Sequence, residues 1–180
     1  TGHSNGEHVG VAVAVSKELS EFMTEPDHRN LEYITSPEFD YSLLSEALLS
    51  PRRRLREWLA PRGLTIIPGS TLSLGDIKYF ERSNPLNQYH DLIEANYGTK
   101  VVTASVHINL GINNLPSLFA ALRLVRCEAS IFLSLSASSP FLDGFPTGAH
   151  SQRWLQFPLT PKVVPLFLSH SHYVSWVEDQ

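Results

Sequence analysis

The stretch Val102-Thr103-Ala104-Ser105-Val106-His107-Ile108-Asn109-Leu110-Gly111-Ile112 decides how the chain reads. Side chains alternate faces along a strand. One face here takes Val102, Ala104, Val106, Ile108 and Leu110, a core face. The other takes Thr103, Ser105, His107, Asn109 and Gly111. A solvated strand face usually carries long charged side chains. This one carries short polar groups, a histidine and a glycine, and so suits a concave site against which a ligand fits. Imidazole ligates metals, and amides hydrogen-bond phosphate or carboxylate oxygens. A polar layer beneath a loop is the competing reading. Either way, Lys100–Ile112 is the clearest predicted strand.

Upstream, Val9–Phe22 begins with alternating valines and ends with helical spacing at Val15, Leu19 and Phe22, which predicts a helix from about Val11. Glu25-Pro26-Asp27 is a turn, and Asn30–Thr35 reads as a strand ended by Pro37. Asp40 caps a helix through Leu49, and Pro51 starts a second one to Leu59. Leu64–Ile67 is a short apolar strand, Ser70–Gln88 mostly loop, and Tyr89–Tyr97 a helix stopped by Gly98. Downstream, Pro116–Leu135 is nearly apolar all round and is expected to be a buried helix. Ser136–Trp154 reads as a polar loop, and the remainder alternates prolines with short apolar runs. Strands mixed with helices, without a regular βαβ beat, predict an α+β fold with an antiparallel sheet.

The bulk numbers narrow the function classes. The chain has 180 residues, of which 42% are hydrophobic and 18% charged, so it can build a core and is not of disordered type. The net charge of −4 gives no basic face for nucleic acid. Cys127 is the one cysteine, which excludes an internal disulfide. Leu115–Leu135 is broken by Arg123, Arg126 and Glu128 and is too polar to cross a bilayer. No signal-peptide pattern is visible, and a reducing, cytoplasmic location is the expectation.

Two further clusters could carry chemistry. In Glu25-Pro26-Asp27-His28-Arg29-Asn30-Leu31-Glu32-Tyr33, the two glutamates lie seven positions apart across a turn. Hard cations such as Mg²⁺ take carboxylate oxygens and share them with a substrate phosphate. Arg29 can neutralise a carboxylate or a phosphate with its planar fork. Surface charges are the competing reading. The serine- and glycine-rich run Ser134–Trp154 could offer backbone N–H groups to an anion, but it has no Walker spacing and no dinucleotide fingerprint. Cys127 reads as a small core residue, and Arg52, Arg53, Arg54 and Arg56 as a solvated helix face. His170 and His172 have a metal-like spacing without an acidic or cysteine partner nearby.

These strings together resemble a known family. The run Glu25-Pro26-Asp27-x-Arg29-Asn30-x-Glu32-Tyr33 is similar to the cyanobacterial and plant-symbiont type of glutamate–cysteine ligase, a carboxylate–amine ligase. So are Pro68-Gly69-Ser70-Thr71-Leu72-Ser73-Leu74-Gly75-Asp76, Tyr97-Gly98-Thr99-Lys100 through Asn109, and Leu135-Ser136-Ala137-Ser138-Ser139-Pro140-Phe141-Leu142-Asp143-Gly144. Four such strings in register are specific where each alone is weak.

The resemblance implies a glutamine-synthetase-like catalytic fold: a curved antiparallel sheet holding ATP, Mg²⁺ and L-glutamate on its concave face, with helices packed on the other. It implies an ATP-dependent reaction in which the glutamate γ-carboxylate is phosphorylated and the amine of L-cysteine attacks the acyl phosphate, the first step of glutathione synthesis. It implies Glu25, Glu32 and His107 as metal ligands. Asn109, Ser105 and Arg29 are implied as nucleotide contacts, and Arg153 as a catalytic contact to phosphate or substrate. Cys127 has no role in that pattern. The family's opening Glu-x-Glu strand and a later strand bearing an arginine have no counterpart here. The expectation is therefore one partial catalytic domain over residues 1–180. The alternatives are a related ligase with another amine acceptor, or an inactive fragment serving as a structural or binding module.

Overall fold

The computed structural model describes residues 1–72, 74, 80–98, 102–156 and 164–179. They form two compact units, Thr1–Ala104 with Ser139–Phe157, and Ser105–Ser138 with Pro158–Gln180.

In the first unit, α1 (Ala12–Glu18) and α2 (Tyr41–Leu59) enclose the hairpin β1 (Phe22–Thr24) and β2 (Leu31–Tyr33). Val11, Val15 and Leu19 recur every fourth residue, so they line one face of α1. Pro51, Leu55 and Leu59 do the same on α2 and are its buried residues. Val15, Phe22, Leu55 and Leu59 form the core, with Leu31, Tyr33 and Trp58 packed around it. The Trp58 indole N–H donates to Glu18 at 2.7 Å and ties the two helices at their rim. Asp40 caps α2 as expected, accepting from the Ser42 N–H at 2.7 Å. Arg52, Arg53, Arg54 and Arg56 are exposed, as a solvated face should be.

The helix does not break at Pro51. It runs through for 19 residues. Proline removes one intrahelical donor, but here its ring is buried in the α2 seam, and packing holds the two halves in line.

The rest of this unit comprises α3 (Gln88–Tyr97), the hairpin β3 (Phe141–Leu142) and β4 (Phe145–Pro146), and the short α6 (Gln152–Leu155). Asp143 and Gly144 both have positive φ, 51° and 82°, which is the type I′ geometry a two-residue hairpin needs. Leu72 and Val102 make a second small core with Phe80 and Leu142.

The second unit contains α4 (Leu115–Cys127), α5 (Ala129–Ser136) and α7 (His170–Glu178). The single helix expected over Pro116–Leu135 is broken at Glu128, whose φ and ψ of −93° and 8° leave helical geometry. It is not buried: Leu122, Leu124, Val125, Ile131, Phe132 and Leu135 are all exposed. Phe119 is the buried residue of α4, beside the rings of His170 and Tyr173 at 6.2 and 6.4 Å. Those two edge-on rings make α7 an aromatic helix. Cys127 is exposed, not a core residue, because it ends α4 on an open side.

The α+β class holds. Among the described residues the sheets are two separate two-stranded antiparallel hairpins. The strand expected over 100–112 is the main correction. Lys100 and Val101 lie outside the described residues. Over 102–112, Thr103 pairs in an isolated bridge to Thr71, and the Ala104 N–H donates to the Ser70 carbonyl at 3.2 Å. Beyond that, no neighbouring strand among the described residues supplies a ladder, and a strand without one is not stable. The proposed core face is consequently open: Val106 is 85% exposed and Ile108 82%. Leu64–Ile67 likewise forms no strand beyond the bridge of Thr65 to Gly2. No described helix is long and apolar enough to cross a membrane.

Candidate functional site

Hairpin register brings two carboxyls together. Met23 pairs with Glu32, and Thr24 with Leu31. Side-chain direction has period two, so Glu25, one step past β1, shares the face of Met23 and therefore of Glu32. The opposite face carries Phe22 and Tyr33, whose ring centroids lie 5.4 Å apart in the core. Glu25 and Glu32 are both half-buried. Burial, then a hydrogen bond to Glu32 and its charge, push the Glu25 carboxyl up to about 7. The raised value reflects two carboxyls held close together in a half-buried setting.

The turn between them is built on a buried ion pair. Asp27 is 2% exposed and Arg29 5%. Arg29 donates to Asp27 through Nε and Nη2, both at 2.7 Å. Arg29, expected to contact nucleotide, thus directs two nitrogens of its fork to this carboxylate. Segment 81–83 lies alongside: His28 N–H donates to the Glu81 carbonyl at 2.7 Å, and Ser83 N–H to the Pro26 carbonyl at 3.0 Å. Gly10 permits this approach. A Cβ there would sit 2.8 Å from Glu81 Oε2 and 2.9 Å from His28 Nδ1.

Arg153 is on α6, its backbone N–H donating to Ser139 Oγ at 3.0 Å. Burial lowers the pKa of its guanidinium. Ser105, His107 and Asn109 are exposed and belong to the second unit. His170 and His172 meet the rings of Phe119 and Phe167 edge-on, an aromatic role. A polar cleft of about 50 Å³, lined in part by His8, Asn30, Thr71 and Thr103, adjoins Gly69.

A profile of glutamate-cysteine ligase family 2 (GCS2) matches residues 4–180. The chain belongs to this family. Two relatives are named "Putative glutamate--cysteine ligase 2-1". That of Mycolicibacterium vanbaalenii is 27% identical over 135 residues, covering 74% of this chain and 34% of the relative. That of Rhodococcus jostii is 31% identical over 125 residues, covering 68% of this chain and 33% of the relative. The chain thus spans about a third of the length of these relatives. No solved structure matches it.

For this GCS2 chain, the chemistry of the donor set fits a hard divalent cation. Two carboxyls joined by a hydrogen bond that raises the pKa of one of them would exchange its proton for a metal ion. Mg²⁺ is commonly held by one or two carboxylates, with water and substrate phosphate completing its shell. Among the described residues no group of three His, Cys, Asp or Glu side chains is arranged to hold a metal. The pair would therefore supply two ligands of such an ion. Asp27, Glu81 and Ser83 were not singled out by sequence, and only the Asp27-x-Arg29 spacing gave a local signal.

Proposed function

We propose that this chain forms part of the catalytic site of an ATP-dependent ligase that joins the glutamate γ-carboxylate to the amine of cysteine through a γ-glutamyl phosphate. The observation that carries this reading is the Glu25–Glu32 pair in a chain of this family. A bound Mg²⁺ would supply charge neutralisation for the polyphosphate and the reacting oxygens. Glu25 and Glu32 would hold it, releasing the proton they share. The hairpin fixes both carboxylates from its backbone, so little reorganisation is needed when charge moves during phosphoryl transfer. His107, Asn109 and Ser105 are proposed to contribute metal and nucleotide contacts. Arg153, half-desolvated and cationic, is suited to a phosphate or a substrate carboxylate.

The test is ADP formation by the full-length protein, dependent on both glutamate and cysteine. Glu32→Gln is expected to lower turnover by at least ~10–100-fold, the range for disturbed metal-site partners. ADP release at equal rates with other amines would reassign the acceptor to a related carboxylate–amine ligase. Turnover unaffected by Glu32→Gln would remove the pair from the mechanism.

A further inference from the structure

Asp27 has every acceptor position in use. Its Oδ1 accepts from the Arg29 backbone N–H at 2.9 Å and from Nε at 2.7 Å. Its Oδ2 accepts from Nη2 at 2.7 Å and from the Glu81 N–H at 3.2 Å. An ion pair this buried adds little net stability, because desolvation offsets the attraction. Its effect is geometric. It closes the turn over Asp27–Asn30, where the Asn30 N–H also donates to the Asp27 carbonyl at 3.1 Å. It also binds that turn to segment 81–83.

That segment reaches the neighbouring backbone of Glu25. Ser83 Oγ donates to the Glu25 carbonyl, and Ser83 N–H to the Pro26 carbonyl at 3.0 Å. Arg82, between them, is anchored on α3 by Asp91 at 2.8 Å and by Glu94. Glu32 is fixed separately, by its ladder position opposite Met23. The spacing of the two carboxylates is therefore set by strand register on one side and by this clamp on the other.

We propose that Asp27, Arg29 and Ser83 are positioning residues that set the Glu25 backbone so that its carboxylate and that of Glu32 can bridge one divalent cation. This rests on the metal reading of the pair given above. In this proposal Arg29 acts on the site through Asp27 and the turn that carries Glu25.

Mn²⁺ binding, read by electron paramagnetic resonance on the folded chain, tests it together with circular dichroism and thermal melting. Ser83→Ala is expected to weaken Mn²⁺ binding by about 10-fold, and Asp27→Asn by about 10–100-fold. Ser83→Thr, which keeps the hydroxyl, should bind as the wild type does. If Ser83→Ala stays folded and binds Mn²⁺ as tightly as the wild type, the clamp only stabilises and the positioning role is wrong. Unfolding of Asp27→Asn leaves Ser83→Ala to decide. Glu32→Gln should abolish binding. Binding retained in that variant, or absent from the wild type, would overturn the metal reading itself, whatever Ser83 does.

Discussion

Glu25 turns a packing problem into a pH dependence. Its carboxyl, ordinarily near 4.5, is pushed up to about 7 by burial and by Glu32. Between those two values the folded chain keeps a proton that the unfolded chain has released. The group's stabilising contribution is therefore full below about 4.5 and is lost as pH rises to about 7. The residue is half-exposed, so solvent screening reduces the effect to about 1–2 kcal/mol. Urea unfolding of wild type and Glu25→Gln at pH 5 and 8 isolates it. The variant is expected to lose less stability on going to pH 8 than the wild type does. An identical pH response in the two proteins would mean the carboxyls are not coupled. At the same scale, Cys127→Ala should change stability by less than about 0.5 kcal/mol, as for surface positions. A larger loss would show that the thiol is packed. The glutamate pair was legible in sequence because it belongs to a local string. The clamp was not, because its second half lies more than 50 residues away, as in the His28–Glu81 contact.

Elements with local signals were read correctly, and elements that need distant partners were not. Helix α1, the strand β2, the Asp40 cap and α3 each declare themselves within a few residues, by spacing, a capping side chain or a stopping glycine. The strand over 102–112 has the cleanest alternation in the chain, yet alternation states only which face would be buried, and not whether a neighbour exists to bury it. Helix α7 was missed, although Ser169 caps it, accepting from the His172 N–H at 3.2 Å. The absence of a strong apolar period hid it. Helix α2 shows packing overruling propensity. Pro51→Ala is expected to stabilise the chain by about 1–2 kcal/mol, since the helix-interior penalty of roughly 3 kcal/mol for proline exceeds the burial that is lost. Leu59→Ala should destabilise by about 2–5 kcal/mol, because Leu59 is fully buried between α1, α2 and the hairpin. Chemical denaturation reads both. Destabilisation by Pro51→Ala would show that the ring's contacts, and not the missing donor, dominate there.

At the scale of the whole molecule, the apolar surface left open by α4 and α5 sets the solution behaviour. Leu122, Leu124, Val125, Ile131, Phe132 and Leu135 are between 43% and 80% exposed, on two helices joined at Glu128. Isolated exposed apolar residues are ordinary, but this many on adjacent elements make a patch of the kind that marks an interface or an aggregation liability. Among the described residues no strand ladder covers 106–112 either, and unladdered backbone invites pairing with another chain. Both features act in the same direction, and the net charge of −4 is too small to oppose them. The chain on its own is therefore expected to self-associate in a concentration-dependent way, measurable by sedimentation velocity. Replacing Leu124, Phe132 and Leu135 by glutamine should shift it toward monomer with the helix content unchanged. Replacing the exposed Arg52 and Arg53 of α2 should have no such effect, since they lie on the charged face of a half-helix whose apolar residues Leu55 and Leu59 are buried. A wild-type chain that sediments as a monomer at every concentration reached would show that these apolar side chains find cover within the molecule, and the exposed patch on α4 and α5 would have to be withdrawn.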